Sequence, residues 1–166
     1  MADKLIIFDA DGTLRRTTVA GQPCPNAPGE WVLMPGVKER LAAIDPSTKL
    51  GIASNQAGVA LGFLSHSMAY QLLVDLCRIL DLPQRRWRIE YCPHHPRERC
   101  ACRKPEPGML DAIMLHYDVD DPAEVLYVGD LESDRECAAR AGVPFMWAHT
   151  FFDWPPQTSQ PPGAVV

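Results

Sequence analysis

Short apolar runs and helical-period segments take turns along this chain. Leu5-Ile6-Ile7-Phe8 is an unbroken apolar run with two β-branched residues, which predicts a buried strand. Pro35-Gly36 precedes a helical pattern at Val37, Leu41 and Ile44 that ends near Asp45-Pro46. Lys49 to Ser54 reads as a second buried strand, followed by the turn Asn55-Gln56-Ala57-Gly58. Met68 to Leu80 carries Leu72, Leu73, Leu76, Ile79 and Leu80 at helical spacing, with Cys77 as a core residue. Arg86 to Tyr91 is a third strand, and a polar Cys/His-rich loop runs from Cys92 to Arg103. Pro107, at a first helical position, opens a helix to about His116. Val125 to Gly129 is a fourth strand ending at Asp130, and Ser133 to Ala141 a short helix capped by Gly142. Val143 to Ala148 gives a fifth strand. Strands alternating with helices predict an α/β protein, a Rossmann-like three-layer sandwich around a parallel sheet of about five strands.

The segment from Arg15 to about Glu30, rich in Thr, Gly and Pro, is expected to form a flap over the end of the first strand. Residues 1–150 read as a single domain. Residues 151–166 read as a Pro-rich tail, without periodicity from about Asp153, either disordered or laid over the surface.

Composition narrows the classes. The 166 residues suffice for one domain with its own core, and 46% apolar with 22% charged content is that of an ordinary globular protein. The net charge of -5 argues against non-specific nucleic-acid binding. The first apolar run is too short for a signal sequence, and no segment approaches a membrane span, so a cytoplasmic protein is expected. Three of the six cysteines crowd between Cys92 and Cys102 beside two histidines, a pattern that points to a metal before disulfides.

Candidate chemistry gathers at strand ends. Asp9 and Asp11 follow the first strand two residues apart, so extended backbone would start them on one side. That edge is where open α/β sheets bind ligands. Two adjacent anions need a cation, and an oxygen-only site suits Mg2+. The second strand ends at Ser54, whose hydroxyl and following turn can hold phosphate oxygens. Lys104 is held away from helical geometry by Pro105 and would stabilise nearby carboxylates. The fourth strand ends at Asp130, and Asp134 lies where it favours a helix dipole and orients Lys104. In the Cys-rich loop, Cys92, His94, Cys100 and Cys102 make a Cys3His set for structural Zn2+, with His95 as the spare imidazole.

The ordered set Asp9-x-Asp11-Gly12-Thr13, Ser54, Lys104 and Gly129-Asp130-x-x-x-Asp134 resembles the haloacid dehalogenase superfamily of phosphotransferases, over residues 5–148. The resemblance implies Asp9 as nucleophile and Asp11 as general acid and then base. It implies Ser54 and Lys104 as phosphoryl-binding groups. It places Mg2+ on the carboxylates of Asp9 and Asp130 and the backbone carbonyl of Asp11. The intervals between motifs leave no room for a cap domain. The Cys-x-His…Cys-x-Cys-Arg-Lys-Pro loop and Asn55-Gln56-x-Gly58 are similar to D-glycero-D-manno-heptose 1,7-bisphosphate phosphatases and the related histidinol-phosphate phosphatases. That likeness implies a small phosphorylated substrate and adds Asn55 and Arg103 to the substrate-binding residues. Ala10 stands where that group usually has Arg, and Ser54 replaces the usual Thr. The Pro-rich flap, Gly21 to Trp31, resembles polynucleotide 3′-phosphatases, so nucleic-acid end repair is the alternative. Arg85, Arg86, Arg88, Arg97, Arg99 and Arg103 would line its groove. A zinc-stabilised interaction module is the non-enzymatic alternative, against which Asp9, Asp11, Lys104 and Asp130 together argue. The sequence leaves the oligomeric state open.

Overall fold

The computed structural model describes residues 3–80 and 87–155. Arg85 and Arg86, expected in a basic groove and at the start of the third sheet strand, lie outside the described residues.

The sheet is built from β1 (Leu5–Phe8), β4 (Lys49–Asn55), β5 (Trp87–Cys92), β6 (Val125–Gly129) and β7 (Phe145–Trp147), in the order β5-β4-β1-β6-β7. All pairings are parallel, and Phe8 lies opposite Ile52 on one side and Val128 on the other. β1 is central and buried on both faces, which explains its unbroken apolar run. Side chains alternate between two cores. Ile6, Phe8, Leu50, Ile52 and Val128 pack with α1 (Val37–Ala42) and α2 (His66–Ile79). Leu5, Ile7, Val125 and Tyr127 pack with α3 (Gly108–His116) and α4 (Glu132–Ala141). A 3-10 turn, Pro122–Glu124, leads into β6.

The chain leaves β1 for β4 on one side and later returns to β6 on the other. The carboxyl end of β1 is therefore the switch point of the sheet, the crevice where ligands of such folds bind. The expected flap contains a small antiparallel hairpin, β2 (Arg15–Thr17) paired with β3 (Trp31–Leu33).

Several boundaries differ from expectation. Pro107 is the N-cap of α3 rather than its first helical residue. α2 begins earlier than expected, where the Ser65 hydroxyl accepts a hydrogen bond from the Met68 amide. The last strand is only three residues long, because Ala148 opens the short helix α5 (Ala148–Phe151). Phe151, Phe152 and Trp154, read as tail, are buried in the core, and the Trp154 indole donates to the Pro35 carbonyl at 2.6 Å. Among the described residues, no helix is long and apolar enough to cross a membrane.

Candidate active site

Asp9 follows β1 directly, its amide bonded to the Val128 carbonyl at 2.9 Å. A tight turn then reverses the chain: the amides of Leu14 and Arg15 both donate to the Ala10 carbonyl, and the Gly12 amide donates to Arg15. Gly12 adopts φ +87°, and a Cβ there would stand 2.1 Å from Asp130 Oδ2. Only glycine lets this turn approach the end of β6. Thr13 Oγ1 lies 3.3 Å from both Asp9 Oδ2 and Asp130 Oδ1, bridging the first and fourth strand ends.

Lys104 is 5% exposed and lies at the centre of the cluster. Its Nζ donates to Asp9 Oδ1 and Asp134 Oδ1, both at 2.7 Å, and to the Ala53 carbonyl at 3.0 Å. Asn55 clamps its backbone from both sides, accepting from the Lys104 amide at 3.0 Å and donating to its carbonyl at 3.3 Å. The Asn55 carboxamide, expected on substrate, is thus turned to the chain itself. Asp134 uses its second oxygen to accept from the amides of Asp130 and Leu131. Gly129 admits this contact, since a Cβ there would meet Asp134 Cβ at 2.5 Å. Tyr127, fully buried, donates its hydroxyl to Asp134 Oδ1 at 2.7 Å and lies 3.0 Å from Lys104 Nζ.

Ligand oxygens of Asp9, Asp130 and Asp134 lie within 4.8 Å of one another. Three carboxylates against one ammonium leave two uncompensated negative charges when all are ionised. The pKa directions follow. Burial, then the Asp134 charge, holds Asp9 well above the usual carboxylate range despite Lys104. Burial pushes Asp130 up to about 6. Burial opposes the charge on Lys104, but Asp134 and then Asp9 outweigh it and raise the ammonium well above its ordinary value. An electron-rich oxygen set of this kind fits a hard divalent cation.

Asp11 faces a different set of partners. Arg15 Nε donates to its Oδ1 at 2.8 Å and Nη2 to its Oδ2 at 3.3 Å. Gln56 Nε2 bonds Asp11 Oδ2 at 3.1 Å and Ser54 Oγ at 2.8 Å, so Ser54 and Asp11 share one donor. Cys24 of the flap lies near enough to Asp11 to feel its charge. Burial first, then the Asp11 charge, pushes its thiol well above the ordinary range.

The second cluster is formed by Cys92, His94, Cys100 and Cys102. Cys92 and Cys100 Sγ are 3.7 Å apart, and His94 Nδ1 is 3.3 Å from Cys92 Sγ and 3.1 Å from Cys102 Sγ. A tetrahedron of Zn–S bonds of ~2.3 Å has edges of about 3.8 Å. His95 turns away, its Nδ1 accepting from the Arg97 amide. The Arg103 amide donates to Cys100 Sγ, tying Arg103 to the cluster, while its Nη1 is buried without a hydrogen-bond partner among the described residues. Burial opposes ionisation of Cys100, but the amides of Arg103 and Cys102 bring its thiol down to about 7. Of the remaining arginines, Arg88 pairs with Glu90, and Arg97 and Arg99 are exposed.

Sequence reasoning left out Tyr127, Arg15, Gln56 and Thr13 as site residues. Tyr127 reads in the sequence as one more aromatic of a buried strand; Arg15 carried only its spacing of four from Asp11.

A parallel sheet with a carboxylate after β1, another after β6 and a buried lysine between them defines the haloacid dehalogenase class of hydrolases. Within it, the chain belongs to the polynucleotide kinase 3 phosphatase family, whose model matches residues 4–152. The chain is 35% identical over 147 residues to the D-glycero-beta-D-manno-heptose-1,7-bisphosphate 7-phosphatase of Bordetella bronchiseptica, covering 84% of this chain and 76% of the relative. The protein of the same description from Pseudomonas aeruginosa is 33% identical over 149 residues, covering 85% and 78%. The crystal structure of the B. bronchiseptica D,D-heptose 1.7-bisphosphate phosphatase, complexed with magnesium and phosphate, superposes with a TM-score of 0.73 at 34% identity, covering 86% of this chain and 78% of that one. A Geobacter sulfurreducens hydrolase of the haloacid dehalogenase superfamily, at 19% identity and TM-score 0.56 over 87% and 88% of the two chains, shares the fold. The chain is a phosphatase.

Proposed function

We propose that this phosphatase hydrolyses a phosphomonoester of a small sugar bisphosphate, D-glycero-D-manno-heptose 1,7-bisphosphate, through an aspartyl-phosphate. The observation that carries the chemistry is the Asp9 carboxylate, held by Lys104 at the sheet's switch point in a cluster of three carboxylates that share that one ammonium. Asp9 attacks phosphorus and displaces the sugar oxygen. Asp11 protonates that oxygen, then takes a proton from the water that cleaves the intermediate. Ser54 and Lys104 bind the phosphoryl oxygens, whose charge grows in the transition state. Asp9, Asp130 and the Asp11 carbonyl would hold Mg2+, which supplies charge neutralisation between an anionic nucleophile and an anionic substrate. Asp134 and Tyr127 keep Lys104 in place.

The substrate reading is supported by the relatives' names and by Arg103, whose buried unpaired Nη1 suits an anionic group. A crevice of about 460 Å³, lined by Val59, Leu64, Ser65, His66, Pro93 and Glu98 among others, gives room beside the Cys/His loop. Cys92, His94, Cys100 and Cys102 bind structural Zn2+ in this reading. Six free cysteines suit a reducing cytoplasm. Residues 1–150 are the catalytic domain, with core support from Phe151 to Trp154.

The family description favours one second reading, a polynucleotide 3′-phosphatase. Activity with Mg2+ on heptose bisphosphate, histidinol phosphate and a 3′-phosphorylated oligonucleotide separates the readings. The first substrate is expected to show the highest kcat/KM; preference for the oligonucleotide would reverse the order. Asp9→Asn should abolish turnover without loss of folding, and retained turnover would end the aspartyl-phosphate assignment.

A further inference from the structure

Two carboxylates carry the proposed chemistry, and each has its own cation. Lys104 serves Asp9 but makes no contact with Asp11. Arg15 serves Asp11 with a forked pair of hydrogen bonds. We infer that Arg15 is the positioning residue for Asp11, fixing its carboxylate where it meets the leaving-group oxygen. The inference rests on the phosphatase mechanism proposed above.

Arg15 is unusual for its burial. It is 1% exposed, although arginine is among the residues least often fully buried. Each of its three guanidinium nitrogens donates within the chain. Nε and Nη2 go to the two oxygens of Asp11, Nη1 donates to the Leu72 carbonyl of α2 at 3.1 Å, and the Trp31 ring lies 6.0 Å away. At 1% exposure its remaining N–H groups have no open side toward a substrate phosphate, so Arg15 acts through Asp11. A bidentate guanidinium fixes both oxygens and hence the plane of the carboxylate, which a single point charge cannot do.

The backbone is arranged for this contact. The turn that starts at Ala10 brings Arg15 back beside Asp11, and Gly12 closes it by donating to the Arg15 carbonyl. Arg15 then begins β2, whose partner β3 contributes Trp31. The flap's root therefore holds the arginine. Gln56 completes the cradle from the far side of the crevice. Without the fork, the Asp11 carboxylate would keep one side-chain hydrogen bond to direct it, from Gln56. Proton transfer to a leaving group tolerates little misplacement.

The test is the leaving-group dependence of kcat/KM, which a merely structural role would not move. Purified Arg15→Met, Arg15→Lys and Asp11→Asn are assayed with Mg2+ on para-nitrophenyl phosphate, phenyl phosphate and an alkyl phosphate. Nitrophenolate departs without a proton; an alkoxide does not. Arg15→Met is expected to lose about 100-fold on the alkyl ester and less than about 5-fold on the nitrophenyl ester, as general-acid contributions predict. Arg15→Lys should fall between it and the parent, and Asp11→Asn should reproduce the dependence. If Arg15→Met does not fold, Arg15→Lys decides alone: a steeper dependence than the parent supports the inference, and an unchanged one overturns it. A uniform loss across the esters in either Arg15 variant, tracking the folded fraction, also overturns it. If Asp11→Asn shows the dependence and Arg15 variants do not, this inference alone fails. If Asp11→Asn is flat across the series, the role of Asp11 falls and the inference with it.

Discussion

Replacing Lys104 by Met asks how far the site depends on its buried cation. The Lys104 ammonium sits 2.7 Å from both Asp9 and Asp134, and the side chains of all three are less than a tenth exposed. Met fills similar space but leaves Asp9 and Asp134 facing each other and Asp130 with no ammonium. Removing one partner of a buried ion pair costs about 3–5 kcal/mol, because the orphaned charge stays buried. For a chain of this size, ~2–4 °C per kcal/mol gives a fall in Tm of roughly 6–20 °C. The loss should be largest at alkaline pH, where the orphaned carboxylates are ionised. It should shrink on acidification, because burial and mutual repulsion already favour protonation of Asp9. Adding Asp134→Asn should recover part of the loss, a coupling that independent sites would not show. The assay is urea unfolding of both variants in chelator-treated buffer at several pH values. A single-variant loss below about 1 kcal/mol, or losses in the pair that simply add, would refute the reasoning.

Three further outcomes follow from the geometry. Gly12→Ala places a Cβ on the Asp130 carboxylate and should cut activity by about 100-fold or more and abolish the rise in Tm caused by Mg2+, while circular dichroism stays near that of the parent. The rise in Tm with Mg2+ should be larger at pH 7.5 than at pH 5, as thermal scans at both values would show. The sign follows from Asp130: with a folded pKa of about 6 against ~3.9 unfolded, the metal-free folded state takes up a proton first as pH falls. Stability of the metal-free protein therefore gains on acidification through this window, while the proton competes with the cation. Elemental analysis should find about one zinc per chain, lost in Cys100→Ser together with increased protease cleavage between residues 93 and 99.

The parts of the site legible in the sequence were those attached to strand ends. β1 and β6 are apolar runs that stop at a carboxylate, and the parallel alternation puts those ends side by side. Arg15 was hidden because its partner is chosen by a turn, and nothing in Gly12-Thr13-Leu14 shows which way the chain reverses. Tyr127 was hidden by its neighbours, since an aromatic in a buried strand reads as filling until its hydroxyl finds Asp134. The hairpin β2–β3 has strands of three residues, too short for a period of two to show. Phe151, Phe152 and Trp154 sit next to a proline cluster whose composition masked three core aromatics. His94 and His95 are adjacent, so spacing cannot choose between them; loop geometry does, by turning His95 to the Arg97 amide.

The site divides its acidic residues between two environments, and the division matches the roles proposed for them. Asp9, Asp130 and Asp134 crowd around one lysine with too little positive charge, an arrangement that strains until a cation enters. Asp11 stands two residues beyond Asp9 on the turn after β1, yet its charge is met by an arginine of its own. A nucleophile needs its negative charge neutralised only when substrate and metal are both present, whereas an acid–base group must keep a fixed direction through both halves of the reaction. The first requirement is served by a charge deficit and the second by a saturated fork. Ala10 permits this arrangement: it is fully buried and offers its carbonyl to the amides of Leu14 and Arg15, so the turn that carries Asp11 also carries its partner. The flap completes the division, because its root supplies Arg15 to Asp11. The flap is thus tied to the residue proposed to protonate the leaving group.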